Sequence, residues 1–274
     1  MPWLTKFLLV LGAMSVGCVQ AQPGGPPPFF AGSSVLHNMD SLAAAISKLK
    51  DASDSSRPLR ILHLGDSHVK SGYFAEAFAD SLNRYFSEAA QKVVAVKLTV
   101  MAKNGATSKH FLEEPYNAAE VQSLQPDVII ISLGTNEAQN LYTKTDLQFF
   151  YTQLLAQIKV DAPAASIVFT TPGDALRKTV RTVKKRKRFY TVTDFSINAV
   201  LPIVIQFIKD FTLETGAAYW DWNTVMGGRG AINRWLAQGY AKDDRVHLTE
   251  KGYALQGWLL ATAFIKLFKT EIAK

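Results

Sequence analysis

Four short stretches of the chain bring together residue types that could carry out acyl transfer. Gly65-Asp66-Ser67-His68 follows the apolar run Leu59–Leu64 and leads through Val69–Tyr73 into a helical pattern. A serine hydroxyl placed there lies at a strand's carboxyl end and beside a helix N-terminus, where backbone N–H groups favour developing negative charge. Gly65 gives the chain freedom to turn sharply before it. Asp243-Asp244-Arg245-Val246-His247 sets a carboxylate three residues ahead of an imidazole. A carboxylate on one ring nitrogen fixes the tautomer and supports the imidazolium, leaving the other nitrogen to take a serine proton. Asp244 is then the orienting acid, and His247 the candidate general base and later acid. Asn104-Gly105-Ala106-Thr107 and Gly134-Thr135-Asn136-Glu137 follow two further strand-like runs. The Gly105 N–H and the Asn136 side-chain amide, with the Ser67 N–H, could complete an oxyanion hole.

Each stretch also has an ordinary structural use. Asp-Ser before a helix caps it, Asn-Gly and Gly-Thr-Asn are common turn sequences, and an isolated Asp-x-x-His can be a surface loop before a helix start at Thr249. Their order in the chain carries more weight, because each stands at an element end. Strands are expected over Leu59–Leu64, Val93–Val100, Val128–Leu133, Ile167–Thr171 and Ala217–Trp220. Helices are expected over Asp40–Lys50, Phe74–Phe86, Leu147–Val160, Phe195–Glu214 and Gly252–Phe268. Near-continuous Ile/Val/Leu strands separated by helices predict an α/β fold, a three-layer α/β/α sandwich on a mostly parallel sheet. In such sheets ligands collect outside the carboxyl ends of the strands, where these stretches fall.

Taken in chain order, Gly65-Asp66-Ser67, Gly105, Gly134-Thr135-Asn136 and Asp244-x-x-His247 resemble the four blocks of the SGNH (GDSL-type) hydrolase superfamily. The resemblance implies a flavodoxin-like sheet and a Ser67/His247/Asp244 triad. It also implies an oxyanion hole from Ser67, Gly105 and Asn136, with no metal and no cofactor. Together with Tyr219-Trp220-Asp221-Trp222, the same stretches look like the branch of bacterial peptidoglycan O-acetylesterases. That branch implies an O-acetylated glycan as substrate. Acetylesterases of other polysaccharides and acyltransferases use the same triad, and a catalytically silent glycan-binding module is disfavoured because every position is filled.

The first residues read as an export signal over 1–21: Lys6 precedes the apolar Phe7–Val16, and Val19-Gln20-Ala21 offers a cleavage site. Cleavage there is expected to send the protein to the periplasm or cell envelope. Cys18 is the only cysteine, which precludes an intramolecular disulfide; cleavage before it would leave a lipid anchor instead. A Pro/Gly-rich stretch over 22–36 reads as a tether, and 37–274 as one catalytic domain. The formal charge is +7, or +6 without Lys6, which draws the protein toward polyanions. No zinc-finger, RNP-like or helix-turn-helix signature accompanies that charge, so nucleic acid is not the expected partner. The oligomeric state stays open.

The cationic cluster Arg177–Arg188 is expected to be a solvated, partly disordered loop that could rim the site and attract an anionic wall polymer. Tyr219, Trp220, Trp222 and Trp235 are read as core, His63 and His68 as packing residues, and Glu137 as a loop carboxylate.

Overall fold

The structure, a computed structural model, describes residues 34–43, 57–89, 95–186 and 188–272. The expected export signal, Cys18, most of the 22–36 stretch and most of the helix expected over 40–50 lie outside the described residues. Among the described residues there are eight strands: β1 (Leu36–His37), β2 (Leu59–Gly65), β3 (Val96–Ala102), β4 (Val128–Ser132), β5 (Ser166–Thr170), β6 (Leu176–Lys185), β7 (Arg188–Ile197) and β8 (Ala218–Trp220). The helices are α1, described over 40–43, then α2 (Ser67–Lys70), α3 (Tyr73–Ala89), α4 (Ala118–Leu124), α5 (Thr135–Gln139) and α6 (Lys144–Asp161). After them come α7 (Leu201–Thr215), α8 (Trp222–Met226), α9 (Ala231–Ala237) and α10 (Glu250–Ile272).

The main sheet runs β1-β8-β5-β4-β2-β3. Five of its strands are parallel, with β2 between β3 and β4, and β1 adds an antiparallel edge against β8. Numbered among themselves, the parallel strands follow the flavodoxin-like order, whose reversal of direction lies beside the first strand. That strand is β2, which leads into Ser67. Leu36, the last residue of the Pro/Gly-rich stretch, is already buried in β1.

Alternation along the strands builds the two apolar layers. Leu59, Ile61, Val128 and Ile130 face α3 and α10, meeting Phe78, Leu82, Leu260 and Phe264. Leu62, Leu64, Ile129 and Ile131 face α6 and α7, meeting Tyr151, Leu154, Ile208 and Phe211. Because both faces are covered, the central strands β4 and β5 are buried along their whole length and nearly all apolar, whereas β3 at the sheet edge keeps Lys97 and Thr99. The helix boundaries have local causes. Thr143 and Asp146 cap α6 reciprocally, with backbone-to-side-chain hydrogen bonds of 3.2 and 2.8 Å. Gly216 ends α7 in the left-handed conformation, φ +72°. Trp220, Trp222 and Trp235 are buried in one stack and edge-on cluster, as the core reading expects, whereas Tyr219 is half-buried and stacks on His37 at 4.7 Å.

Two expectations are corrected. Phe195–Ile197 belong to β7, and the helix placed over Phe195–Glu214 begins at Leu201. The cationic cluster is no irregular loop: β6 and β7 pair antiparallel through ten residue pairs, from Leu176↔Ile197 to Lys185↔Arg188. Charge dominates the composition there, but Thr179, Val180, Thr182 and Val183 face Asp194, Thr193, Thr191 and Tyr190. β-Branched and aromatic residues of this kind favour a ladder. Arg186 turns the hairpin at φ +57°.

Candidate active site

β2 ends where the chain passes tightly between α2 and β4. A Cβ on Gly65 would stand 2.2 Å from Cγ2 of Val69 and 3.2 Å from the Ser132 carbonyl oxygen, so only glycine fits. The turn delivers Ser67 as the first residue of α2. Asp66 caps that helix, its Oδ1 accepting the His68 N–H at 2.9 Å.

Across the cleft, residues 242–247 close on themselves. The Lys242 N–H donates to the His247 carbonyl at 2.8 Å, and the Arg245 N–H to the Lys242 carbonyl at 3.0 Å. Asp244 Oδ1 accepts the N–H groups of Val246 and His247, each at 2.9 Å. The other oxygen, Oδ2, lies 2.8 Å from His247 Nδ1, and His247 Nε2 lies 2.9 Å from Ser67 Oγ. Burial alone would raise the Asp244 carboxyl, but the two N–H donors and the imidazole outweigh it and hold the group below the usual carboxylate range. An ionised carboxylate can only accept, so Nδ1 carries a hydrogen, and in the neutral ring this leaves Nε2 as the acceptor for the Ser67 hydroxyl. Residues 180 positions apart thus form one relay.

Ser67, Gly105, Asn136 and His247 line one cleft, and Asp244 joins it from behind through His247 Nδ1. Gly105 stands at φ +72° with open space around its Cα, so backbone conformation rather than crowding calls for glycine. Asn136 is held firmly: its amide donates to Asp66 Oδ2 and to the Ala106 carbonyl, both at 3.0 Å. Both amide hydrogens are in use, so an oxyanion would take the place of one of these acceptors.

Three supporting residues were not legible in the sequence. Asp66 is buried beneath the nucleophile, and burial pushes its carboxyl up to about 7 against the pull of the His68 N–H and His247. Glu137, read as a loop carboxylate, is fully buried: it accepts the Ser108 N–H and the Gly134 N–H, both at 2.8 Å, and so ties the loops that hold Gly105 and Asn136 together. Burial likewise raises it to about 7. His68 stacks on His247 at 5.2 Å, with Nδ1 3.1 Å from the Tyr253 hydroxyl. Burial, and then the neighbouring His247, lower its pKa to about 3, so His68 stays neutral beside His247. A glutamate three residues after Gly134 was the available signal for a capping carboxylate. Nothing in sequence spacing could pair Asp66 with Asn136, 70 residues away. His63, read as packing, is buried in β2 with Nε2 2.8 Å from Ser132 Oγ.

The family model of GDSL-like lipases and acylhydrolases matches residues 63–255, from the strand before Ser67 past His247 into α10. The chain belongs to this family. It is a GDSL-type carboxylic ester hydrolase of the SGNH superfamily. The hydrolase is similar in fold to a peptidoglycan O-acetylesterase, at 17% identity and a TM-score of 0.67 over 86% of this chain and 99% of that one. It is also similar to an acetyl xylan esterase, at 14% identity and a TM-score of 0.55 over 74% of this chain and 98% of that one. A two-domain esterase active on acetylated mannans matches at 13% identity and a TM-score of 0.54, over 87% of this chain and 55% of that one. No curated protein matches the hydrolase by sequence. At such identities these likenesses speak for the fold.

Proposed function

We propose that the chain is an exported esterase that removes O-acetyl groups from a cell-envelope glycan, with peptidoglycan the favoured substrate. The observation that carries the chemistry is the Ser67–His247–Asp244 relay, at 2.9 and 2.8 Å, in a chain of this esterase family. The export-signal pattern ahead of the domain, the positive charge and the fold likeness to a peptidoglycan O-acetylesterase support the location and the substrate.

In this reading Ser67 Oγ attacks the acetyl carbonyl carbon while its proton passes to His247 Nε2. Charge developing on the carbonyl oxygen is met by the Ser67 and Gly105 N–H groups and by one Asn136 hydrogen released from Asp66 or Ala106. His247 returns the proton to the departing sugar hydroxyl, leaving acetyl-Ser67. Water then gives a proton to His247 as it attacks the acyl carbon, and acetate leaves as the serine is restored. Asp244 holds the ring tautomer throughout.

The test is acetate release from O-acetylated peptidoglycan, beside acetylated xylan, acetylated mannan and a long-chain ester, by wild type and Ser67→Ala. Release from peptidoglycan that disappears with Ser67 is the expected result. Ser67-dependent release confined to xylan or mannan would move the substrate to another polysaccharide, the alternative that the fold likeness to xylan and mannan esterases keeps open. No Ser67-dependent release from any of them would overturn the reading.

A further inference from the structure

The positive charge of this protein has one address. Residues 176–197 contain eight of the 30 basic residues and one of the 23 acidic ones, which leaves 22 of each in the rest of the chain. The whole formal excess of +7 therefore belongs to the β6–β7 hairpin, and the remainder of the sequence is formally neutral.

The hairpin keeps that charge available. Most of its residues are exposed on both faces of the ribbon. Cross-strand register puts Lys178 opposite Phe195 and Lys184 opposite Phe189 on one face, and Lys185 opposite Arg188 on the other. Among its described cations only Arg181 meets a carboxylate, Asp194 at 2.7 Å. Lys184 lies over the Phe189 ring, which is 71% exposed. A row of cations of which one meets a carboxylate, set beside the exposed rings of Phe189 and Tyr190, repels itself, and becomes favourable when an anionic polymer lies along it.

The base of the hairpin is joined to both halves of the active site. The Leu176 N–H donates to the Arg245 carbonyl at 2.9 Å, and the Leu176 carbonyl accepts from Gln139 Nε2 at 3.1 Å. Arg245 stands between Asp244 and His247 in sequence and stacks on Phe195 of β7 at 4.4 Å. Gln139 ends the helix that carries Asn136. Strands of this length extend roughly 30 Å, so whatever the ribbon holds stays tethered near Ser67. Lys70 and Lys242 line the cleft itself, which continues the positive path inward.

We propose that the β6–β7 hairpin is an electrostatic arm that captures a carboxylate-bearing glycan polymer and feeds its acetyl esters to Ser67. This rests on the esterase reading of the cleft and narrows its substrate to acidic rather than neutral polysaccharides. An arm anchored on the loop of the base and on the helix of Asn136 points to substrate capture. A device that only moored the protein to an anionic lipid surface would need no such anchorage.

The experiment measures co-sedimentation of the full mature chain carrying Ser67→Ala, so that binding is read without turnover. The probes are purified O-acetylated peptidoglycan, insoluble acetylated mannan, and vesicles of phosphatidylglycerol or phosphatidylcholine. The arm variant adds Lys184→Gln, Lys185→Gln, Arg186→Gln and Arg188→Gln, with its melting curve compared to the parent. The expected result is retention on peptidoglycan that weakens as salt rises and a dissociation constant at least about tenfold higher in the arm variant, with little retention on mannan. Equal binding of parent and arm variant to peptidoglycan, or equal retention on mannan, overturns the proposal. Arm-dependent sedimentation with phosphatidylglycerol vesicles but not with peptidoglycan overturns it too, in favour of a membrane surface. A failure of acetate release in the activity assay would leave the binding result standing, so the two readings fail separately.

Discussion

The sandwich and the hairpin of this hydrolase solve opposite problems. The sandwich turns its polar groups inward: Asp66 and Glu137 are buried with hydrogen-bond partners and fix the loops from which the site is made, while His63 bonds Ser132 between β2 and β4. The hairpin spends its polar groups outward, with most of its cations facing water and one ion pair among the described residues, Arg181–Asp194. Buried polar groups lock geometry because leaving one unpaired costs about 1–3 kcal/mol, whereas exposed charges are screened and lock little. Precision therefore belongs to the sandwich, and long-range attraction to the ribbon.

The strongest way to break this division is at the relay. Ser67→Ala and His247→Ala are each expected to lower kcat on the order of 10⁴-fold or more while the melting temperature stays near wild type. Turnover of a small acetyl ester checks this, and a fully active variant would remove the relay from the chemistry. Asp244→Asn should cost less, roughly 10²- to 10⁴-fold, because Oδ1 can still accept N–H groups while the tautomer it enforced is lost.

A subtler effect is expected beneath the nucleophile. Asp66→Asn takes an acceptor from Asn136, so kcat should fall about tenfold with little change in KM if the amide must be held for the oxyanion. A change in KM alone would give Asp66 a merely structural role. The buried carboxyls also set a pH dependence. Asp66 and Glu137 titrate near 7 in the folded chain, while unfolded carboxyls release their protons near about 4. Between those values the folded form carries protons the unfolded form lacks, so this contribution to stability falls as pH rises from 4 to 7 and levels off above 7. Urea midpoints across that range should show a shallower fall in Asp66→Asn than in wild type; identical slopes would contradict the assignment.

The smallest effect belongs to the ribbon. Breaking its exposed ion pair with Asp194→Ala should change stability by less than about 1 kcal/mol. A shift several times larger in thermal denaturation would show that the hairpin contributes to the fold rather than standing apart from it.

Much of the sandwich could be read before the structure, because its central strands are buried on both faces and therefore appear as apolar runs such as Val128–Ile131. The relay residues were legible for a related reason: Ser67, Gly105 and Asn136 follow the carboxyl ends of β2, β3 and β4, and Asp244 and His247 lie in the loop before α10, each in a recognisable turn sequence. The hairpin was misread because exposed strands have no apolar signature, and their cations outweighed the alternating Thr and Val. The role of Glu137 was missed because burial is a property of the neighbours, here the Ser108 and Gly134 N–H groups, and not of the residue.

By itself the sequence determined the residue types and their order: the serine after β2, the glycine and asparagine after β3 and β4, the carboxylate and imidazole before α10. Local rules suffice for these, since hydrophobic periodicity and turn chemistry act over a few residues. Only the tertiary structure decided that His247 Nε2 comes within 2.9 Å of Ser67 Oγ, that Asp66 holds Asn136, and that the cationic ribbon is anchored on the loop of the base. Those contacts join residues tens to hundreds of positions apart, and their geometry follows from how both faces of the sheet are packed.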